Sequence, residues 1–123
     1  MPETTSAIPL FERAPALAHS VPHYSIGTYP SPVERVELED AGERIPILVK
    51  RDDLTGLAFG GNKVRKLEYL VADALAQGCD TLVSIGGIQS NHTRAVTGVA
   101  RHLGLNVVTV QEHWVDWDDP GYE

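Results

Sequence analysis

The chain has 123 residues, 42% hydrophobic and 22% charged, which suits one domain, or a piece of one, with a packed core. Its net charge of -7 disfavours a nucleic-acid partner, and no apolar run approaches the ~20 residues of a membrane span. The N-terminus lacks the basic and apolar stretches of a secretory signal, and the single cysteine, Cys79, forms no internal disulfide, so a soluble cytoplasmic protein is expected.

Pro2, Pro9, Pro15, Pro22, Pro30 and Pro32 punctuate the first 32 residues. Each removes a backbone donor and restricts its neighbour. The expectation is an extended arm with at most a short helical turn near Ala14–Ala18, and a disordered tail is an equal alternative. Residues 1–44 are read as this arm and an irregular segment, and residues 45–123 as a partial α/β domain.

Ile47-Leu48-Val49-Lys50-Arg51 is a short apolar run of strand character, and Asp52–Gly56 reads as a turn. Gly60-Gly61 leads into a helix from Lys63, with Val64, Leu67, Val71, Ala74 and Leu75 on one face and Gly78 just past its end. Thr81–Ile85 is the next strand, broken by Gly86-Gly87. Gln89-Ser90-Asn91 opens a second helix with core positions Val96, Val99, Ala100 and Leu103, closed by Gly104. Asn106–Val110 is a further strand. Strand, helix, strand, helix, strand with short connections predicts an α/β fold, a βαβαβ unit with a parallel sheet. Small parallel sheets have exposed edges that domains usually cover, and the acidic segment from Gln111 to Glu123 ends the chain before such a fold is finished.

Lys63, Arg65 and Lys66 place three cations in a first helical turn, where the dipole favours acidic residues. An anion between them and the free backbone N–H groups would resolve the conflict, and the glycine pair lets a phosphate approach closely. Solvated surface cations are the plain alternative. Neighbouring charge lowers the pKa of a lysine so placed, and a neutral amine condenses with aldehydes. Ser84–Thr93 lies where a strand ends and a helix starts, the ligand side of a parallel sheet. Ser90 or Asn91 can equally be a helix N-cap. His92 is a ligand contact or a plain first-turn residue. His19 and His23 lack a metal-ligand pattern, so no metal is expected.

The segment Leu57–Leu70, with Gly60-Gly61-Asn62-Lys63-Val64-Arg65-Lys66-Leu67-Glu68-Tyr69, resembles the cofactor-lysine segment of 1-aminocyclopropane-1-carboxylate (ACC) deaminases and the related D-cysteine desulfhydrases. Gly78–Asn91, with Ser84-Ile85-Gly86-Gly87-Ile88-Gln89-Ser90-Asn91, is similar to their second motif. The resemblance runs from about Tyr29 to the end. It implies the tryptophan-synthase-β type of fold and pyridoxal 5'-phosphate (PLP) as cofactor. It further implies that Lys63 carries PLP covalently and acts as the base, that Lys66 helps hold the phosphate, and that Asn91 bonds the ring hydroxyl oxygen. Ser90, with a catalytic part, would meet the substrate carboxylate, with Asn91 and His92 beside it.

The implied reaction is a hydrolytic deamination of a small amino acid, ACC to 2-oxobutanoate and ammonia, by a homo-oligomer when full length. Gln111–Asp116 looks more like the deaminase branch. His92 stands where many deaminases have glutamine and also suits the desulfhydrases, so D-cysteine is the alternative substrate. Family members are well over twice as long. The glycine-rich phosphate loop, the group facing the pyridine nitrogen, and a tyrosine and acidic residues of the site are missing here. The expectation is an N-terminal fragment, and a catalytically inactive one is the third alternative.

Overall fold

In a computed structural model, the structure describes residues 8–114. Helix α1 (Pro9–Arg13) and a 3-10 turn at Pro15–His19 each start on a proline, where no helical N–H is needed. The helical content of the arm is therefore larger than the expected single turn. The arm is fastened to the body: Tyr24 N–H donates to the Glu68 carbonyl (2.9 Å), Thr28 N–H to Thr55 (3.0 Å), and Arg51 N–H to Pro32 (2.9 Å).

Residues 33–44, expected to be irregular, hold a strand and a turn. Strand β1 (Val33–Asp40) pairs antiparallel with β2 (Glu43–Lys50), in register from Val33↔Lys50 to Asp40↔Glu43. The connecting Ala41 and Gly42 both have positive φ (50° and 83°), as two-residue hairpins of right-twisted strands require. The hairpin joins residues on both sides of position 44. Val36↔Ile47 and Leu38↔Ile45 are its apolar cross-strand pairs. The expected first parallel strand thus lies in this hairpin, because its backbone groups are taken by β1.

The α/β class with a parallel sheet holds, in a smaller unit. Helix α2 (Lys63–Ala76) precedes β3 (Thr81–Gly87), α3 (Asn91–His102) and β4 (Asn106–Glu112). β3 and β4 form a two-stranded parallel sheet, Thr81↔Asn106 through Gly87↔Glu112. Leu67 and Val71 of α2 interlock with Ala95, Val96 and Val99 of α3, backed by Leu82 and Val107 from the sheet. Burying each such Val or Leu side chain contributes about 1.5–3 kcal/mol. Gly78, at φ 74°, ends α2 in the left-handed conformation, donating its N–H to Leu75. The sheet's alternating positions Val83, Ile85, Val108 and Val110 stay exposed. No helix among the described residues is long and apolar enough to cross a membrane.

Candidate functional site

Lys63 is the first residue of α2. Asn62 precedes it in helical conformation and makes no side-chain cap bond, and the first turn holds no acidic residue. The Val64 N–H donates to the Gly61 carbonyl at 3.3 Å, and the helix dipole at this turn still favours an anion. The approach to Lys63 is unusual backbone. Ala58, Phe59, Gly60 and Gly61 all have positive φ (50°, 67°, 69° and 110°), a region that costs a side-chain-bearing residue roughly 1–2 kcal/mol. A Cβ on Gly60 would collide with the Asp53 carbonyl, whereas one on Gly61 would meet nothing within 4 Å. So Gly60 is required by packing, and Gly61 leaves open space beside the helix start.

The three cations do not act together. Arg65 is committed to Asp52, its Nε 3.0 Å from Oδ2 and its Nη2 2.7 Å from Oδ1. It also donates to Ser31 Oγ (2.9 Å) and stacks 4.6 Å above the Tyr29 ring. Asp52 in turn is held below the usual aspartate range by the Arg65 hydrogen bonds, with Ser31 and Lys50 helping against burial. Of the expected anion site, Lys63 and Lys66 remain, the first half-buried and the second exposed.

The start of α3 lies opposite. Ser90 is its N-cap, in extended conformation, and its Oγ accepts the Thr93 N–H at 3.2 Å. Asn91 is exposed at the first helical position. Gly86 brings β3 against this cap, since a Cβ there would lie 2.6 Å from Ser90 Oγ. His92 is half-buried, and its Nδ1 is fully buried with no hydrogen-bond partner among the described residues. Burial lowers the His92 pKa below its ordinary value, and the charges of Lys66 and Lys63 lower it further. Phe59, just before the glycine pair, carries Arg94 of α3 over its ring at 5.9 Å.

An open cavity of about 370 Å³ lies at the same end of the sheet, lined among others by Gln89, Ser90, Asn91, Arg94 and Gln111. Lys63, Lys66 and His92 are not in its wall. The structure therefore gathers Ser90 and Asn91 in one hollow, with His92 outside its wall and subject to the charges of Lys66 and Lys63. Among the described residues no group of three or more acids, histidines or cysteines is gathered, and the His23 ring packs edge-on against Phe11 and Tyr69.

Two residues escaped the sequence reading. Glu68 is buried (4% exposed) and accepts the N–H groups of Ile26 and Gly27 at 2.8 and 2.9 Å. A signal existed: a carboxylate interrupts the apolar face at Val64, Leu67 and Val71. Asp52 gave no signal, because its partners lie 13 and 21 residues away.

A profile of pyridoxal-phosphate dependent enzymes matches residues 24–118. The chain is 56% identical over 105 residues to a 1-aminocyclopropane-1-carboxylate deaminase of Burkholderia vietnamiensis, covering 83% of this chain and 31% of the relative. It is 55% identical over 105 residues to the enzyme of that name from Burkholderia lata, with the same coverage. A crystal structure of an ACC deaminase homologue superimposes with a TM-score of 0.69 at 33% identity, over 85% of this chain and 31% of that one. The chain thus spans about a third of the length of the curated relatives it matches.

Proposed function

Because the chain belongs to the family of pyridoxal-phosphate dependent enzymes, we propose that it carries the cofactor-lysine half-site of a cytoplasmic, homo-oligomeric ACC deaminase, with residues 45–123 as its cofactor-binding part. The observation that carries the reading is a half-buried amine at a helix start without a side-chain cap, directly behind Gly60-Gly61. The residues fit PLP. Lys63 supplies the amine, Lys66 and the first-turn N–H groups suit a phosphate, and Gly61 leaves room. Asn91 is free to meet the ring hydroxyl oxygen.

When bound, PLP supplies an aldehyde for the substrate amine and an electron-accepting ring. Lys63 would hold the cofactor, and its Nζ would serve as the base. ACC has no hydrogen on its α carbon, so that base acts elsewhere on the cyclopropane. Ser90 Oγ accepts from Thr93, which leaves its own O–H to donate to the substrate carboxylate. His92 would lie beside the substrate, and among the described residues its Nδ1 has no hydrogen-bond partner.

Adding PLP to the purified chain should give the visible absorption of lysine-linked cofactor, abolished in Lys63→Ala. A wild-type chain without that absorption refutes the half-site. In the enzyme completed to the relatives' length, ammonia and 2-oxobutanoate from ACC are expected. Sulfide from D-cysteine instead, a substrate His92 also suits, would reassign the substrate.

A further inference from the structure

Lys63 is held from both sides by one residue outside its helix. The Asp52 carbonyl accepts the Gly61 N–H at 2.6 Å and the Thr55 hydroxyl at 2.8 Å. The Asp52 carboxylate takes both Arg65 nitrogens, at 3.0 and 2.7 Å. Gly61 is two residues before Lys63, and Arg65 is two residues after. The carboxylate is itself held: Ser31 Oγ donates to Oδ1 at 2.8 Å, and Lys50 Nζ donates to the Ser31 carbonyl.

We propose that Asp52 is the positioning residue of Lys63, clamping the start of α2 through its carbonyl at Gly61 and its carboxylate at Arg65. The inference rests on the reading of Lys63 as the cofactor lysine. The strained lead-in explains why a clamp is needed. Consecutive positive-φ residues resist the path they follow, and Asn62 offers no side-chain cap to fix the first turn. Without the clamp this segment relaxes and the amine moves away from the phosphate-binding N–H groups. A reacting group displaced by about 1 Å can lose as much as a hundredfold in rate. The fork of Arg65 matters as much as its charge, because a lysine cannot span both carboxylate oxygens.

The chain has only Lys50, Lys63 and Lys66 as lysines, so each reports on the others. The full chain is incubated with PLP, reduced with borohydride and digested, and pyridoxyl groups are mapped by mass spectrometry. Wild type should label Lys63 ahead of Lys50 and Lys66. Asp52→Asn and Arg65→Lys, whose added amine at position 65 is mapped as a separate site, should lower the Lys63 rate about tenfold while leaving the Lys66 rate unchanged. A purely structural role would change Lys63 and Lys66 together. Preferential labelling of Lys63 that survives both substitutions overturns the clamp and leaves the half-site standing. Equal labelling of all three lysines in wild type overturns the half-site, and the clamp with it. Should Asp52→Asn fail to fold by circular dichroism, the milder Arg65→Lys decides.

Discussion

Glu68 should be the residue whose loss detaches the N-terminal arm. Its side chain is 5% exposed, Oε1 accepts from Ile26 and Gly27, and Oε2 lies 3.2 Å from His23 Nε2. Glu68→Ala removes the acceptor from two part-buried amides. A hydrogen bond to a charged group contributes about 1.5–3 kcal/mol, and water reaching the freed amides returns part of that. The expected loss is about 3 kcal/mol for Glu68→Ala and about 1 kcal/mol for Glu68→Gln, which keeps one neutral acceptor. For a chain of this size the alanine variant should melt roughly 10–15 °C lower. Urea unfolding measures the energy, and amide exchange locates it. Ile26 and Gly27 should lose protection, while Leu105, bonded to Ala100 in the α3 C-terminus, should lose no more than the global change. An alanine variant within about 0.5 kcal/mol of wild type, the usual range of surface changes, with both amides still protected would refute the anchoring role.

Gly60→Ala should cost about 2–3 kcal/mol, since the new Cβ meets the Asp53 carbonyl and φ is positive; a stability equal to wild type in urea would show the loop can yield. The His92 ring should titrate below the ordinary histidine value of 6.5, and Lys66→Ala or Lys63→Ala should raise it, as read from ring-proton NMR shifts. As pH falls through 6.5 the unfolded chain takes this proton first, so His92 removes stability on the acid side; no movement in either variant contradicts the coupling. Tyr29 is pushed up to about 12, by burial first and then by the Glu68 charge, against the pull of Arg65. Between pH 10 and 12 the folded state holds that proton more tightly, so stability from Tyr29 is full below 10 and declines above it, which ultraviolet titration follows. Among the described residues its hydroxyl is buried without a partner, so Tyr29→Phe should cost under about 1 kcal/mol or stabilise, and a larger loss in urea would reveal a bond to that oxygen.

The parts legible in the sequence are those set by local rules. The spacing of Val64, Leu67 and Val71 marked the buried face of α2, and Ser90 was a candidate cap because small hydroxyl residues satisfy first-turn amides. Gly78 ended its helix for the reason expected of it. The β1 strand was hidden because Val33–Asp40 is rich in charge and exposed throughout, so it lacks the apolar face by which strands are recognised. Ile47–Val49 was visible as a strand, but no property of those residues states which neighbour will take their N–H and C=O groups.

The same distinction divides the site. Sequence shows where charges are, and only the fold shows which of them are already spent. Lys63, Arg65 and Lys66 look alike as three cations at a helix start, yet Arg65 is neutralised by Asp52 across 13 residues of chain. The conflict with the helix dipole is thereby reduced by one charge without any ligand. Among the described residues Lys63 and Lys66 have no ion-pair partner, and their charges add to burial in lowering the pKa of His92. On the proposed reading a dianionic phosphate would offset both charges at once, because Lys63 and Lys66 lie in one helical turn whose N–H groups favour an anion. It follows that Arg65→Gln, which frees Asp52 to compete for Lys63 or Lys66, should weaken phosphate-bearing ligands more than pyridoxal, and equal weakening of both would place the anion elsewhere.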